Sequence, residues 1–569
     1  TTSATTDNNT ITLVSLSEDT YSNCTITVTD NSSNSVTLNI NSFVIDTTAP
    51  TVSSISPTDN QSGVSISTNI SVTFSESIDN TSVTTNTSDT SCSGTLQVSS
   101  NNFSSCVQIS SSPSVTNSTK MFTVDPTDNL SHSNTYKIRV TTAVKDSAGN
   151  TLSSQYQSSS GFTTWSGTQQ LGTSSEDWGL GVTIDSSDNI YLTGRTLGGL
   201  DGNTNSGDND TFLVKYNSSG IKQWTRQFGT SSSDVTSDGG KGINVDSSGN
   251  VYVTGHTYGG LDGNTNSGDY DIFLVKYNSS GTKQWLRQLG TSSEDWGNSV
   301  SSDSSGNVYV TGFTHGGLDG NTNSGSADIY LMKYNSSGTN QWIIQLGTSS
   351  SDIGRDVSVD SSGNIYVAGF SKGGLDGNTN SGNADIILMK YNSSGIKQWI
   401  IQLGTSSEEK AGSVFVDLTG NVYMSGYTYG GLDGNTNSGD MDIILVKYNS
   451  SGTKQWTSQH GTSSREIGKD VIVDSLGNIY ISGHTNGELD GNLNNGNVDL
   501  YLMKFNSSGT KQWTSQLGTS SIDYVSGMSI DSSGNVFISG YTEGGLDGNT
   551  NSGNKDIFLV KYNSDGVLQ

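Results

Sequence analysis

Asp356–Gly404 reads DVSVDSSGNIYVAGFSKGGLDGNTNSGNADIILMKYNSSGIKQWIIQLG. Apolar residues alternate with small or polar ones at Val357, Val359, Ile365 and Val367, and again at Ile387, Met389 and Tyr391, the period of two of half-buried strands. The intervening SSGN and SSG place Gly and Asn where a tight hairpin requires positive φ. Four short strands joined this way make one blade of a β-propeller. No stretch of the chain holds a 3.6-residue period for three turns.

The unit recurs. LDGNTNSG, with substitutions, puts its Asp at 201, 262, 319, 376, 433, 490 and 547, so the period is 57 residues after a first interval of 61. Four extra residues around Ser233 to Gly242 account for the longer interval. Seven long β units predict a propeller rather than a helical repeat. In each unit an Asp opens the first hairpin turn (Asp185, Asp246, Asp303, Asp360, Asp417, Asp474 and Asp531), which reads as a side-chain cap on that turn. Trp224, Trp285, Trp342, Trp399, Trp456 and Trp513 follow Gln in the last strand of six units, and Trp165 sits in TTWSGTQQLG ahead of the first. These indoles read as blade packing. Gln569 ends the seventh unit where a Trp would come next, so a strand begun at Trp165 is expected to complete that blade and close the ring, removing the free edges.

Ahead of the repeats the composition changes: the four Pro, at 50, 57, 113 and 126, all lie there. Residues 47–163 read as a β-sandwich, with alternation at Ile70, Val72 and Phe74; Cys92 and Cys106, a hairpin apart, are expected to form a disulfide. Residues 1–46 are too few for a core of their own. Their strands, TITLVSL, CTITVTD and SVTLNINSFVID, read as the last part of a sandwich. Cys24 then lacks a partner, through truncation, completion by a neighbouring subunit or a free thiol. The propeller takes 164–569.

Charge and composition narrow the function. Among 569 residues, 53 acidic against 26 basic give a formal charge of −27, which disfavours nucleic acid and anionic lipid. No run of 18 apolar residues forms a transmembrane segment. The opening TTSATTDNN, without Met or a basic apolar leader, fits a processed exported chain, placed outside the cell or on its surface.

Several segments carry a family likeness. DSSGNVYVTG, DGNTNSG, DIFLVKYNSSG and KQW resemble the bacterial SBBP family of seven-bladed β-propeller repeats, over about 165–569. APTVSSISPTDN, VTFSE and DSAGN resemble a bacterial Ig-like domain, and FVIDTTAP resembles the end of another. The resemblance implies an all-β fold and a generally non-enzymatic protein whose Ig-like modules serve as stalks or spacers.

The strongest chemical candidate is the loop DGNTNSGxxD, whose oxygen side chains at positions 1, 3, 5 and 10 imitate the opening of a calcium loop. The best copies, with Asp also at position 8, are Asp201, Asn203, Asn205, Asp208 and Asp210; Asp262, Asn264, Asn266, Asp269 and Asp271; and Asp433, Asn435, Asn437, Asp440 and Asp442. Without a bidentate Glu any Ca2+ would bind weakly; the alternative is an Asx-rich turn that satisfies its own amides. A second acidic column follows GTSS (Asp177, Asp234, Asp295, Asp352, Glu409, Glu466 and Asp523), and its repetition in seven units argues against an acid–base pair. The five His form no metal-ligand spacing, and no nucleophile elbow or phosphate loop is present. No catalytic residue is assigned. Two columns do vary: Arg195, His256, Phe313, Phe370, Tyr427, His484 and Tyr541, and beside it Leu197, Tyr258, His315, Lys372, Tyr429, Asn486 and Glu543. They suit either packing or a binding face for glycan or protein.

The expectation is therefore a non-enzymatic extracellular structural or adhesive protein, a surface appendage or polymer subunit joined into a homo-oligomer or filament through its N-terminal partial domain. The alternative is a monomeric carbohydrate- or protein-binding propeller module.

Overall fold

The computed structural model describes residues 16–236 and 242–569. Nearly all of the strand expected in TITLVSL, and Asp238 and Lys241 of the inserted segment, lie outside those residues. The chain divides into two compact units, Thr1–Trp165 and Ser166–Gln569.

In the first unit two four-stranded sheets pack face to face. One runs in the order Val52–Ser56, Ile70–Phe74, Met121–Val124, Ser114–Thr116; in the other, Thr135–Val140 pairs with Leu96–Ser99, Tyr156–Gln157 and Phe162–Thr163. Their inner faces meet in one core that includes Ile70, Val72, Phe74, Phe122 and Ile138. The alternating residues read from the sequence thus point inward together, as sandwich packing requires. Cys92 and Cys106 are disulfide-bonded, and Cys24 is a free thiol. Upstream, Asp19–Tyr21 pairs with Phe43–Ile45, and Thr25–Thr29 with Ser35–Asn39, as two separate two-stranded ladders. Val28 (51% exposed), Val36 (65%), Leu38 (60%) and Val44 (62%) face solvent there.

The second unit is a propeller. Among the described residues, its first blade is Asp177–Ile184, Ile190–Thr196, Asp210–Tyr216 and Lys222–Phe228, paired antiparallel in chain order. The same order recurs through the blades, and first strands of neighbouring blades face one another, so they are innermost. In the second blade the inner strand is in two pieces, Asp234–Thr236 and Ile243–Val245, on either side of the insertion. The last blade takes Asp523–Ile530, Val536–Thr542 and Asp556–Tyr562 from the C-terminus and Gln169–Leu171 from the start of the unit.

Ring closure by the two ends is therefore as expected, but Trp165 is not part of the closing strand. Its N–H donates to Val64 O at 2.9 Å and it is fully buried at the end of the first unit. Gln170 opposes Phe558 just as Gln227 opposes Phe212, which leaves Gly167, not Trp165, at the position of the indole. The shift has a register cause. The GTQQLG ending fixes the pairing, and counting back from Gln170 lands two residues past the tryptophan.

The other indoles hold blades together. Trp224 lies 6.1 Å from the Tyr191 ring in its own blade, and the turn at Gly281 of the next blade seats on it so closely that a Cβ there would come within 2.9 Å. Lys215 crosses the same junction, its ammonium 5.0 Å from the Tyr191 centroid and donating to Ser279 O at 3.1 Å. That strap recurs from Lys276 to Ser336 and from Lys333 to Ser393. Few large aliphatics are needed because six junctions between successive blades are each closed by an indole and by a lysine whose stem is apolar.

Candidate functional site

At one end of the strands in each blade, three polar residues lie in a row. Asp177, Thr196 and Asp210 oppose one another across the first blade, and all three are fully buried. Asp177 accepts from the Thr196 hydroxyl and from the amide and hydroxyl of Thr173, the latter at 2.9 Å. Asp210 accepts on Oδ2 from Ser206 N at 2.9 Å and Gln227 Nε2 at 3.1 Å. Burial raises the pKa of Asp177, Asp234, Asp295 and Asp523 from the ordinary carboxylate range, opposed by these hydrogen bonds. The acids after GTSS thus tie the linking segment to the sheet, seven times over. The Asp185 column caps its turn: Oδ1 accepts from Ser187 N and Asn189 N at 2.9 Å, and Oδ2 from the Tyr191 hydroxyl at 3.0 Å.

The glycine-rich loop folds back over the outer strand. Leu200 is buried, and Asp201, at φ 53°, takes a left-handed conformation that Asp tolerates. Its carboxylate is held by Lys222 and the Thr225 hydroxyl. Asp262 is bound by Lys283, and Asp433 by Lys454 and Thr457. The amides of Asn203, Asn264 and Asn435 donate to the carbonyls of Leu200, Leu261 and Leu432. Those of Asn205, Asn266 and Asn437 donate to Leu197, Tyr258 and Tyr429. Asp208, Asp269 and Asp440 are exposed, whereas Asp210, Asp271 and Asp442 are buried in the sheet. The carboxylates of each loop therefore face three different surroundings. Among the described residues, the one group of three acids whose ligand atoms all lie within 4.8 Å of one another is Asp46, Glu76 and Asp146, in the first unit. Asp146 there spends its oxygens on Ala148 N, Asn150 N and Asn150 Nδ2.

The first variable column is mostly buried or half-buried and stacks across blades. His256 lies 3.9 Å from Trp296, which stacks at 5.5 Å on Phe313; His484, Tyr524, Tyr541 and Trp178 continue the pattern, with the Arg195 guanidinium 4.0 Å over Trp178. Much of this column is packing. Part of it borders a hollow of about 370 Å³ whose lining includes Trp296, Phe313, Phe370, Arg355, Lys372 and Lys410.

Sequence periodicity missed the polar belt on the inner strands. Ser299 Oγ donates to Asp356 Oδ1 at 2.6 Å, and Ser413 Oγ lies 2.7 Å from Asp356 Oδ2 and 2.8 Å from Asp470 Oδ1. Val414 N and Met528 N donate to Asp356 and Asp470 across the next junctions. Gly181, Ser299, Asp356, Ser413, Asp470 and Gly527 occupy this column. Its only signal was a break in sevenfold identity.

His460 replaces the Phe or Leu found at 228, 289, 346, 403 and 517. Its ring packs 5.2 Å from Phe505, and burial, helped by Lys511, lowers its pKa to about 4. A histidine held neutral in the fold stabilises it above the free value near 6.5 and loses that contribution as pH falls toward 4. His460→Leu is expected to gain about 1–2 kcal/mol relative to the parent at pH 5 over the difference at pH 7.5. Urea melts at both pH values check it, and equal differences at both would refute the titration.

Comparisons with known proteins agree with this architecture. Residues 46–164 match the model of a bacterial Ig-like domain, and 167–201, 223–262, 284–319, 341–376, 455–490 and 512–547 match the SBBP β-propeller repeat. An uncharacterized WD repeat-containing protein, L264, of Acanthamoeba polyphaga mimivirus is 24% identical over 374 residues, half of this chain and 27% of its own length. Regulatory protein FlaEY of Caulobacter vibrioides is 23% identical over 333 residues, half of this chain and 34% of its own. The chain spans about a third or less of these relatives. Among solved structures, a protein of unknown function from Bacteroides caccae overlaps 60% of this chain and 94% of its own at 11% identity, with a TM-score of 0.33.

Proposed function

We propose that this chain, which belongs to the SBBP β-propeller repeat proteins and carries a bacterial Ig-like domain, is a non-enzymatic extracellular structural or adhesive protein that displays its propeller as a surface appendage or polymer subunit. The observation that carries this reading is the use made of the repeated polar columns. Asp177 and Asp185, with their counterparts in the other blades, and Asp201, with all of its counterparts except Asp319, are engaged in bonds that hold turns, loops and junctions. General acid–base work needs two groups set apart from one another by environment, and repetition supplies only equivalents.

Assembly is supported by the ladders upstream of the sandwich. Val28, Val36, Leu38 and Val44 give them apolar side chains that stand in water, and burying them against another subunit would contribute about 25 cal/mol per Å². The loop reading of Ca2+ belongs to the same proposal in narrowed form: a cation there competes with Lys222, Lys283 and Lys454 for Asp201, Asp262 and Asp433.

Electron microscopy of native material with calcium, and again after chelation, tests the reading. Filaments or arrays that disperse in Val36→Lys/Leu38→Lys support it. Uniform single particles in both conditions would favour the alternative, a monomeric carbohydrate- or protein-binding propeller, for which the hollow between Trp296 and Lys410 is the specific observation.

A further inference from the structure

We propose that the hollow on blades three to five is a binding site for an acidic saccharide, one whose sugar rings carry carboxylates. The inference deepens the carbohydrate-binding reading of the propeller, on which it rests, and it does not need assembly.

The charge balance of the hollow runs against that of the chain. The protein carries 53 acidic and 26 basic residues, yet this lining brings Arg355, Lys372 and Lys410 together against one carboxylate, Glu294. Lys410 has a partner, Glu408, at 2.8 Å. Arg355 and Lys372 have none within ion-pair distance among the described residues. The Arg355 guanidinium lies 5.6 Å from the Phe370 centroid, with the Lys410 ammonium 4.9 Å from the same ring. Two cations that share one aromatic ring repel each other, and an anion seated between them relieves that repulsion.

Shape and surface select a sugar. A volume of about 370 Å³ falls within the range of small-ligand pockets and suits one or two pyranose rings. Trp296 and Phe313 are half-buried and supply apolar surface for the C–H faces of a sugar, while the half-buried Ser351 supplies a polar group for its hydroxyls. Arg355 presents the planar fork that matches a carboxylate with two parallel hydrogen bonds. Among the described residues no other blade junction combines these: the column of Arg355 holds Lys469 two blades on, and that of Lys372 holds Leu197, Tyr258, Tyr429, Asn486 and Glu543 elsewhere. The site exists because the repeats diverge here.

Calorimetric titration of the full chain with trigalacturonic acid, and with neutral galactotriose, tests the proposal. The acidic trimer is expected to bind at least tenfold more tightly than the neutral one. Lys372→Glu, an exposed residue that no packing requires, should lower the affinity at least tenfold, and Lys372→Arg should retain it. Equal affinity for both sugars, no binding of the acidic trimer at roughly 10 mM, or a Lys372→Glu chain that binds as the parent does would each overturn it. An acidic peptide that binds where the trimer does not would overturn it too. Filament formation is read separately by microscopy, so loss of this site leaves the assembly reading standing, and the converse holds.

Discussion

Asp356→Ala is expected to destabilise the propeller by about 3–5 kcal/mol. Asp356 is fully buried and accepts four hydrogen bonds, from Ser299 Oγ, Ser413 Oγ, Val357 N and Val414 N, which come from three successive blades. Alanine leaves the Val414 N–H and the Ser299 hydroxyl without acceptors in a place water does not reach, at about 1–3 kcal/mol each before relaxation, and leaves Val357 N only the longer bond to Ser299 Oγ at 3.3 Å. Ser413 retains Asp470 as a partner, which caps the loss. Spread over some 400 residues of cooperative unit, the change should lower the thermal midpoint by about 5 °C. The comparison is Asp417→Ala, where the same side-chain type caps an exposed turn and about 1 kcal/mol is expected. Scanning calorimetry on both variants decides it: equal shifts would mean that the inner belt contributes no more than an ordinary turn.

The contrast between these two aspartates also marks what sequence could reveal. Asp417 belongs to a column present in all seven units, beside Gly and Asn of a hairpin, so its role as a turn cap follows from local chemistry alone. Blade count, strand order and ring closure were legible for the same reason, since each rests on spacing within one repeat. Trp165 shows the limit. It resembled the outer-strand indoles by type and neighbourhood, but strand register is set by GTQQLG pairing with Asp556–Tyr562, and that count excludes it. Asp356 was hidden because its partners lie 57 residues away on either side, and a bulge between Gly354 and Asp356 changes which residues of the inner strand reach the neighbouring blade. The hollow was half legible. The sequence exposed two variable columns, but not that most of the aromatic members stack on one another, nor that Arg355 and Lys410, from a third and fourth position in the repeat, converge on Phe370.

Reducing the Cys92–Cys106 disulfide is expected to cost the Ig-like domain about 3 kcal/mol, while the propeller transition stays where it is. The bridge closes a loop of 14 residues in sequence, and loop-closure entropy alone gives a stabilisation of that size. Between the two cysteines lies Leu96–Ser99, a strand buried along its length that pairs with Thr135–Val140 at the centre of its sheet. Freeing the loop therefore weakens the attachment of a core strand rather than of a surface hairpin. In a domain of about 120 residues 3 kcal/mol corresponds to a fall of roughly 10 °C in its midpoint, larger in temperature than the Asp356 effect because the cooperative unit is smaller. The two units have separate cores, so calorimetry with and without a thiol reductant should show one transition moving and one fixed. A joint shift of both would show instead that the units unfold together. Counting free thiols in native material adds the cellular side of the argument: an exported chain, oxidised as it matures, should yield at most the single thiol of Cys24, whereas three would place its folding in a reducing compartment.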